Sequence, residues 1–162
     1  MADADRSALE AQIADDVRAL TAESDQIGHH FAGRHSLTAN DFRALLHVLV
    51  AETAGTALTA GELRNRMGTS GAAITYLVER MIVSDHLVRD TDPADRRKVK
   101  LRVAEHGRQV ARDFFTPLAQ HTGSALADLP DEDLTAAHRV FVALVAAMRA
   151  FRADLDAGVP PG

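Results

Sequence analysis

The chain has 162 residues, no cysteine, 46% apolar but only 4% aromatic residues, and a formal net charge of −5. That length suits one folded unit with its own core, and the lack of cysteine excludes disulfides, thiolate metal sites and thiol redox chemistry. The acidic start "MADADRSALEAQ" carries no apolar leader, and no run approaches the ~20 apolar residues of a membrane span, so a soluble, cytoplasmic protein without membrane contact is expected.

The first periodic stretch places Leu9, Ile13, Val17, Leu20, Ile27 and Phe31 on one face of a long helix, predicted over residues 6–31. "LTANDFRALLHVLVAE" follows, with Thr38 as helix N-cap, Phe42, Leu45, Leu46 and Leu49 as the buried stripe and Gly55 near its end. "LTAGELRNRMG" repeats the device on a smaller scale. Thr59 caps, Glu62 completes a capping box, Leu63 and Met67 point inward and Gly68 stops the helix. "TSGAAITYLVERMIVSD" then opens a third helix capped by Thr69 or Ser70. Three short helices joined by tight turns describe a helix-turn-helix core.

Beyond it, "HLVRD", the turn-forming "TDPAD" and "RRKVKLRV" read as a β-hairpin, because basic and apolar residues alternate with period two on either side of Pro93. Its outward face, with Lys98, Lys100 and Arg102, is expected to be cationic. Helical spacing resumes at Glu105 with Val110, Phe114 and Leu118, and Pro117 is expected to kink that helix. After Pro130 and its neighbouring acids comes a last amphipathic helix over 131–155, with Leu134, Phe141, Val145, Met148 and Leu155 on one face. The long terminal helices could pair within a subunit, across a dimer, or both.

Charge separates along the same divisions. Residues 96–112 hold seven Lys and Arg against Glu105 alone, while both ends are acidic. One basic segment in an otherwise acidic chain suits a polyanion bound at that place. A third helix entering the DNA major groove by its amino end would offer Thr69, Ser70, Gly71, Ala72, Thr75 and Tyr76 to bases and phosphates, above a buried row of Ile74, Leu77, Val78 and Met81. Arg80 is placed to touch phosphate or to lie along the surface. The hairpin beside it could send an arginine into the adjacent minor groove.

These segments resemble the MarR-type winged helix-turn-helix transcriptional regulators over about residues 35–110. "TSGAAITYLVERM", "DHLVRD" and "DPADRRKV" stand where that family has its recognition helix, first wing strand and wing tip. The resemblance implies a mainly α fold with a small β-hairpin wing. It divides the chain into a DNA-binding domain at 36–104 and a dimerisation region at 1–35 and 105–162. It further implies that Asp95 orients Arg97 for the minor groove, that Arg96 and Lys98 hold phosphate, and that the protein is a homodimeric repressor of a pseudo-palindromic operator in double-stranded DNA. A small aromatic or amphiphilic effector would bind near His30, Phe31, His35 and Phe42. The chain departs from the family pattern at Asp85, where Gly is frequent, at Ile82, where an acid is frequent, and at Val103 and Ala104, which leave the following helix without a side-chain cap.

Other classes are weighed beside this one. No nucleotide-binding glycine pattern or HExxH is present, and "GTSGA" has the wrong glycine spacing for a nucleophile elbow, so no enzyme and no cofactor are expected. His29, His30, His35 and His47 suggest a zinc-responsive regulator, but they lack the spacing of a helical chelate and a nearby acid, so no metal is expected. A helical protein-interaction module without DNA binding is the remaining alternative, and it would leave Arg96, Arg97 and Lys98 without a use.

Overall fold

In a computed structural model the chain is described over residues 2–91 and 99–158. Six helices and one hairpin follow in the order α1 (Ala2–Arg34), α2 (Ala39–Thr53), α3 (Ala60–Met67), α4 (Gly71–Val83), β1 (Leu87–Thr91), β2 (Val99–Val103), α5 (Glu105–Leu126) and α6 (Asp131–Asp156). It is the mainly helical winged helix-turn-helix architecture expected. The chain forms two compact units, residues 1–115 and 116–162, divided inside α5. Pro117 lies just past that division, and the helix runs through it. The hairpin tip, including Asp95, Arg96, Arg97 and Lys98, lies outside the described residues.

Caps set the frame of the first unit. Thr38 and Asp41 form a reciprocal capping box at α2, Thr59 and Glu62 form another at α3, and Ser70 accepts the Ala73 amide at the start of α4. Each of these satisfies backbone donors that a helix start leaves open. Gly68 ends α3 in the left-handed region, φ 62°, which lets the chain turn into the next helix within three residues.

The core lies among α2, α3, α4 and the inward face of the hairpin, with Leu45, Val48, Leu63, Val78, Met81, Leu87 and Leu101 fully buried. In α2 the buried row differs from the expected one. Asp41, Phe42, Ala44, Leu45, Val48 and Ala51 face inward, whereas Leu46 and Leu49 are half-buried. Ala44 and Ala51 share the i, i+3, i+4, i+7 row of Leu45 and Val48, and Leu46 and Leu49 flank it. β1 and β2 pair antiparallel with Leu87 opposite Val103 and Thr91 opposite Val99. The Leu101 amide also donates to the Leu58 carbonyl at 2.7 Å, fixing the hairpin to the segment between α2 and α3.

The turn before β1 shows how the chain manages without the expected glycine. Asp85 itself takes φ 55°, a conformation that Asp tolerates better than most side chains. Where α5 begins, no side chain is needed as a cap, because the Gly107 amide donates to the Asp85 carbonyl at 3.3 Å. Glu52 of α2 ties the same corner by accepting from the Val103 amide at 3.0 Å and from Arg108 at 2.6 Å.

In the second unit α6 buries no residue, and Phe141, Val145, Met148, Phe151 and Leu155 remain exposed. One 18-residue window of this helix has a mean hydropathy of 1.4, so by length and composition alone it could cross a membrane. This departs from the expectation that no run approaches a membrane span, because frequent Ala raises hydropathy without forming an unbroken run of large apolar residues. Arg139 and Arg149 lie within the helix, and each would cost about 2.5–3.5 kcal/mol near a bilayer centre.

Candidate nucleic-acid interface

The amino end of α4 brings the expected contact residues together. Ser70, Gly71, Ala72, Thr75 and Tyr76 are exposed and Thr69 is half-buried, while Ile74, Leu77, Val78 and Met81 fix the opposite face in the core. The first turn therefore presents backbone N–H groups with nothing larger than a hydroxyl in front of them, which favours close approach of a phosphate. Thr75 donates back to the Gly71 carbonyl at 2.9 Å. Tyr76 is 67% exposed, a large exposure for the chain's one tyrosine.

Arg80 keeps 40% of its side chain exposed while it pairs within the protein. Its guanidinium donates to the buried Asp41 carboxylate and lies over the Tyr76 ring, 5.2 Å from the centroid. Burial alone would raise the Asp41 pKa, but hydrogen bonds from Arg80 and Thr38 outweigh it and hold the carboxyl below its usual range. Arg80 in turn is raised above its ordinary value, first by the bond to Asp41. A residue that caps α2 thus also grips the recognition helix.

The wing stem is less cationic than its sequence suggests. Lys100 pairs with Glu62 at 3.5 Å and Arg102 with Asp90 at 2.6 Å, and both are half-buried. Arg89 pairs with Glu79 of α4 at 2.6 Å. These cations brace the hairpin against α3, α4 and itself. Arg64 and Arg66, absent from the residues expected at the interface, are exposed in the last turn of α3 just before the turn that leads to Ser70. Their position one turn before the Gly68 stop was the available signal.

Of the candidate effector residues, three are joined and one is not. Phe31 stacks on His35 with centroids 4.1 Å apart and meets Phe42 at 5.2 Å, and Phe114 closes the group at 5.0 Å from Phe31 and 4.9 Å from Phe42. His30 is exposed and bonds the Gln26 carbonyl through Nδ1 at 2.9 Å. Among the described residues no group of three or more His, Asp or Glu is placed to hold a metal ion.

A capped recognition helix in a three-helix core, followed by a hairpin pinned to that core, defines a winged helix-turn-helix domain. Residues 35–98 match the model of the MarR family. The chain is similar to the HTH-type transcriptional regulator YcgE of Bacillus subtilis, 32% identical over 48% of this chain, and spans half the length of that relative. It also resembles the HTH-type regulator YsmB of the same organism, 24% identical over 76% of this chain and 82% of that one. The fold is shared with a MarR family protein from Bacillus stearothermophilus (TM-score 0.67, 24% identity, 86% of this chain and 94% of that one). A MepR–DNA complex from S. aureus has the same fold (TM-score 0.57, 12% identity, 82% and 93%).

Proposed function

We propose that this protein is a DNA-binding transcriptional regulator that grips a pseudo-palindromic operator as a homodimer and releases it in response to a small effector. The observation that carries the reading is the exposed, Ser70-capped first turn of α4 held above a buried apolar row. In this reading Thr69, Ser70, Gly71, Ala72, Thr75 and Tyr76 enter the major groove, Arg64 and Arg66 approach the flanking phosphates, and Arg97, oriented by Asp95, enters the minor groove. Arg80 acts through Asp41 as a positioning residue.

The dimer reading is supported by the apolar residues that the chain leaves uncovered on α6, together with Leu9, Leu20 and Ile27 on α1. Bare apolar faces of this kind, one in each unit, call for a protein partner, and a second copy supplies the two-fold symmetry that a palindrome requires. We infer the dimerisation region to be 1–35 with 105–162. The half-exposed Phe31 and His35 rings offer the stacking surface for an aromatic effector, with Phe42 and Phe114 as its floor.

Selection of genomic DNA fragments by the full chain tests the function. The expected result is recovery of a shared palindrome whose half-sites lie about one helical turn, ~34 Å, apart. Arg97→Ala should weaken binding to that duplex by about 1–3 kcal/mol with folding unchanged. Recovery of unrelated fragments, with binding insensitive to salt, would refute the reading in favour of a protein-interaction module.

A further inference from the structure

A pocket of about 370 Å³ in the first unit is lined by His35 and Ser36 after α1, Asp41 of α2, Arg80 and Ser84 at the end of α4, and His86 and His106 on either side of the wing. His86 is only 4% exposed. Its Nδ1 meets Ser84 Oγ at 2.8 Å, and its buried Nε2 has no hydrogen-bond partner. Such an orphan is costly in a buried site and calls for a role.

The hydrogen-bond chain says what kind of atom the orphan is. Ser84 Oγ lies 3.0 Å from the Arg80 carbonyl and donates its single proton there. With that proton directed to the carbonyl, Oγ accepts from His86, and the tautomer this favours carries its proton on Nδ1 and a lone pair on Nε2. That lone pair is a base, enclosed beside a pocket large enough for water to deliver a proton. The His106 ring packs edge-on at 4.6 Å between centroids. Burial first, and His106 second, hold the His86 pKa below the ordinary imidazole value, against the opposite pull of Asp41, Ser84 and Asp85.

The backbone of His86 is the joint between recognition helix and wing. Its amide donates to Met81 of α4 at 2.8 Å, and its carbonyl accepts from Ala104 at 3.0 Å. A Cβ at Gly107 would stand 2.2 Å from that carbonyl oxygen, so α5 rests directly on the same peptide. The charged and titratable groups facing the ring are His35 after α1, Asp41 from α2, Arg80 from α4, Asp85 in the turn and His106 from α5. Asp41 brings the carboxylate among the pocket-lining residues, and it already binds Arg80 and Thr38.

We propose that this pocket is a proton-sensing joint. Nε2 of His86 takes up a proton as the surroundings acidify, the imidazolium competes with Arg80 for Asp41, and α4 loosens from α2 and from the wing. Weakened DNA affinity in acid follows from that loosening, and this last step rests on the DNA-binding reading above.

Histidine ring nitrogens of the full chain, labelled with nitrogen-15, are to be followed by NMR from about pH 8 to about pH 5. The expected result is a bare Nε2 on His86 at neutral pH and protonation below the ordinary value. Exchange of the Ala104 and Gly107 amides, corrected for the intrinsic pH effect, should accelerate together with it. His106→Gln should move both events to higher pH, and His86→Gln should abolish the linked exchange. With the duplex recovered by fragment selection, wild-type affinity should fall about tenfold across that range, a ratio equal to one pKa unit of coupling, and His86→Gln should flatten the fall. A proton resident on Nε2 at neutral pH, or unchanged amide exchange through the titration, would overturn the joint. Normal titration with pH-independent duplex affinity would overturn the coupling to DNA. If no duplex binds at any pH, the DNA-binding reading fails, and amide exchange alone decides the joint.

Discussion

Gly107→Ala sets helix propensity against packing, and the structure says which wins. Glycine within a helix is less favourable than alanine by roughly 1 kcal/mol, so propensity alone predicts stabilisation of α5. Yet the added Cβ would meet the His86 carbonyl oxygen at 2.2 Å, its carbon at 3.0 Å and Val103 Cγ1 at 3.0 Å. The first of these is backbone held from both sides, so α5 has to move away from it. Movement weakens the Ala104 and Gly107 amide bonds to residues 86 and 85, at about 0.5–1.5 kcal/mol each, and adds overpacking of about 1–3 kcal/mol. After the propensity gain, a net loss of about 1–5 kcal/mol is expected. With a urea slope of about 2 kcal/mol per molar, the unfolding midpoint should fall by roughly 0.5–2.5 M. Gly28→Ala in α1 is the control, because its Cβ would meet Phe42 at an ordinary 3.5 Å, and it should raise the midpoint. A Gly107→Ala midpoint at or above wild type would refute the reasoning.

Asp41→Asn keeps a capping oxygen but loses the charge held by Arg80. Stability that Asp41 contributes is present above the ordinary carboxylate range and lost as pH falls through its lowered folded value, so the variant should show a flatter acid limb in pH-dependent melts. Asp41→Ala should cost about 2 kcal/mol, combining a lost cap with a partly exposed ion pair, and should reduce duplex affinity although Asp41 touches no DNA. At the turn before β1, Asp85→Val should cost about 1–2 kcal/mol because a β-branched residue opposes φ 55°, whereas Asp85→Gly should leave the thermal midpoint equal or higher. Phe141→Asp on α6, where the ring is 50% exposed, should shift sedimentation from dimer to monomer while leaving the helical circular dichroism of the chain largely intact.

Local rules made most of the fold legible. The caps at Thr38, Thr59 and Ser70 and the stop at Gly68 are each decided by residues within one turn, and they stand where the sequence placed them. The hairpin follows from alternation, a property of the same few residues. What sequence could not give was the partner of a side chain distant along the chain. Arg80 and Asp41 are 39 positions apart, and Glu52 and Arg108 are 56 apart. Neither pair has a spacing signal. For the same reason the cations of the wing stem read as a DNA-facing stripe, although Glu62, Glu79 and Asp90 take up Lys100, Arg89 and Arg102. The consequence bears on specificity. Cations engaged with protein carboxylates hold the wing at a fixed angle to the recognition helix and contribute little to counterion release. The salt slope of binding should therefore report Arg64, Arg66 and the tip arginines rather than the whole basic segment. Charge reversal at Glu79, which frees Arg89 while leaving those contacts in place, should disturb discrimination between palindrome and random duplex more than it changes that slope.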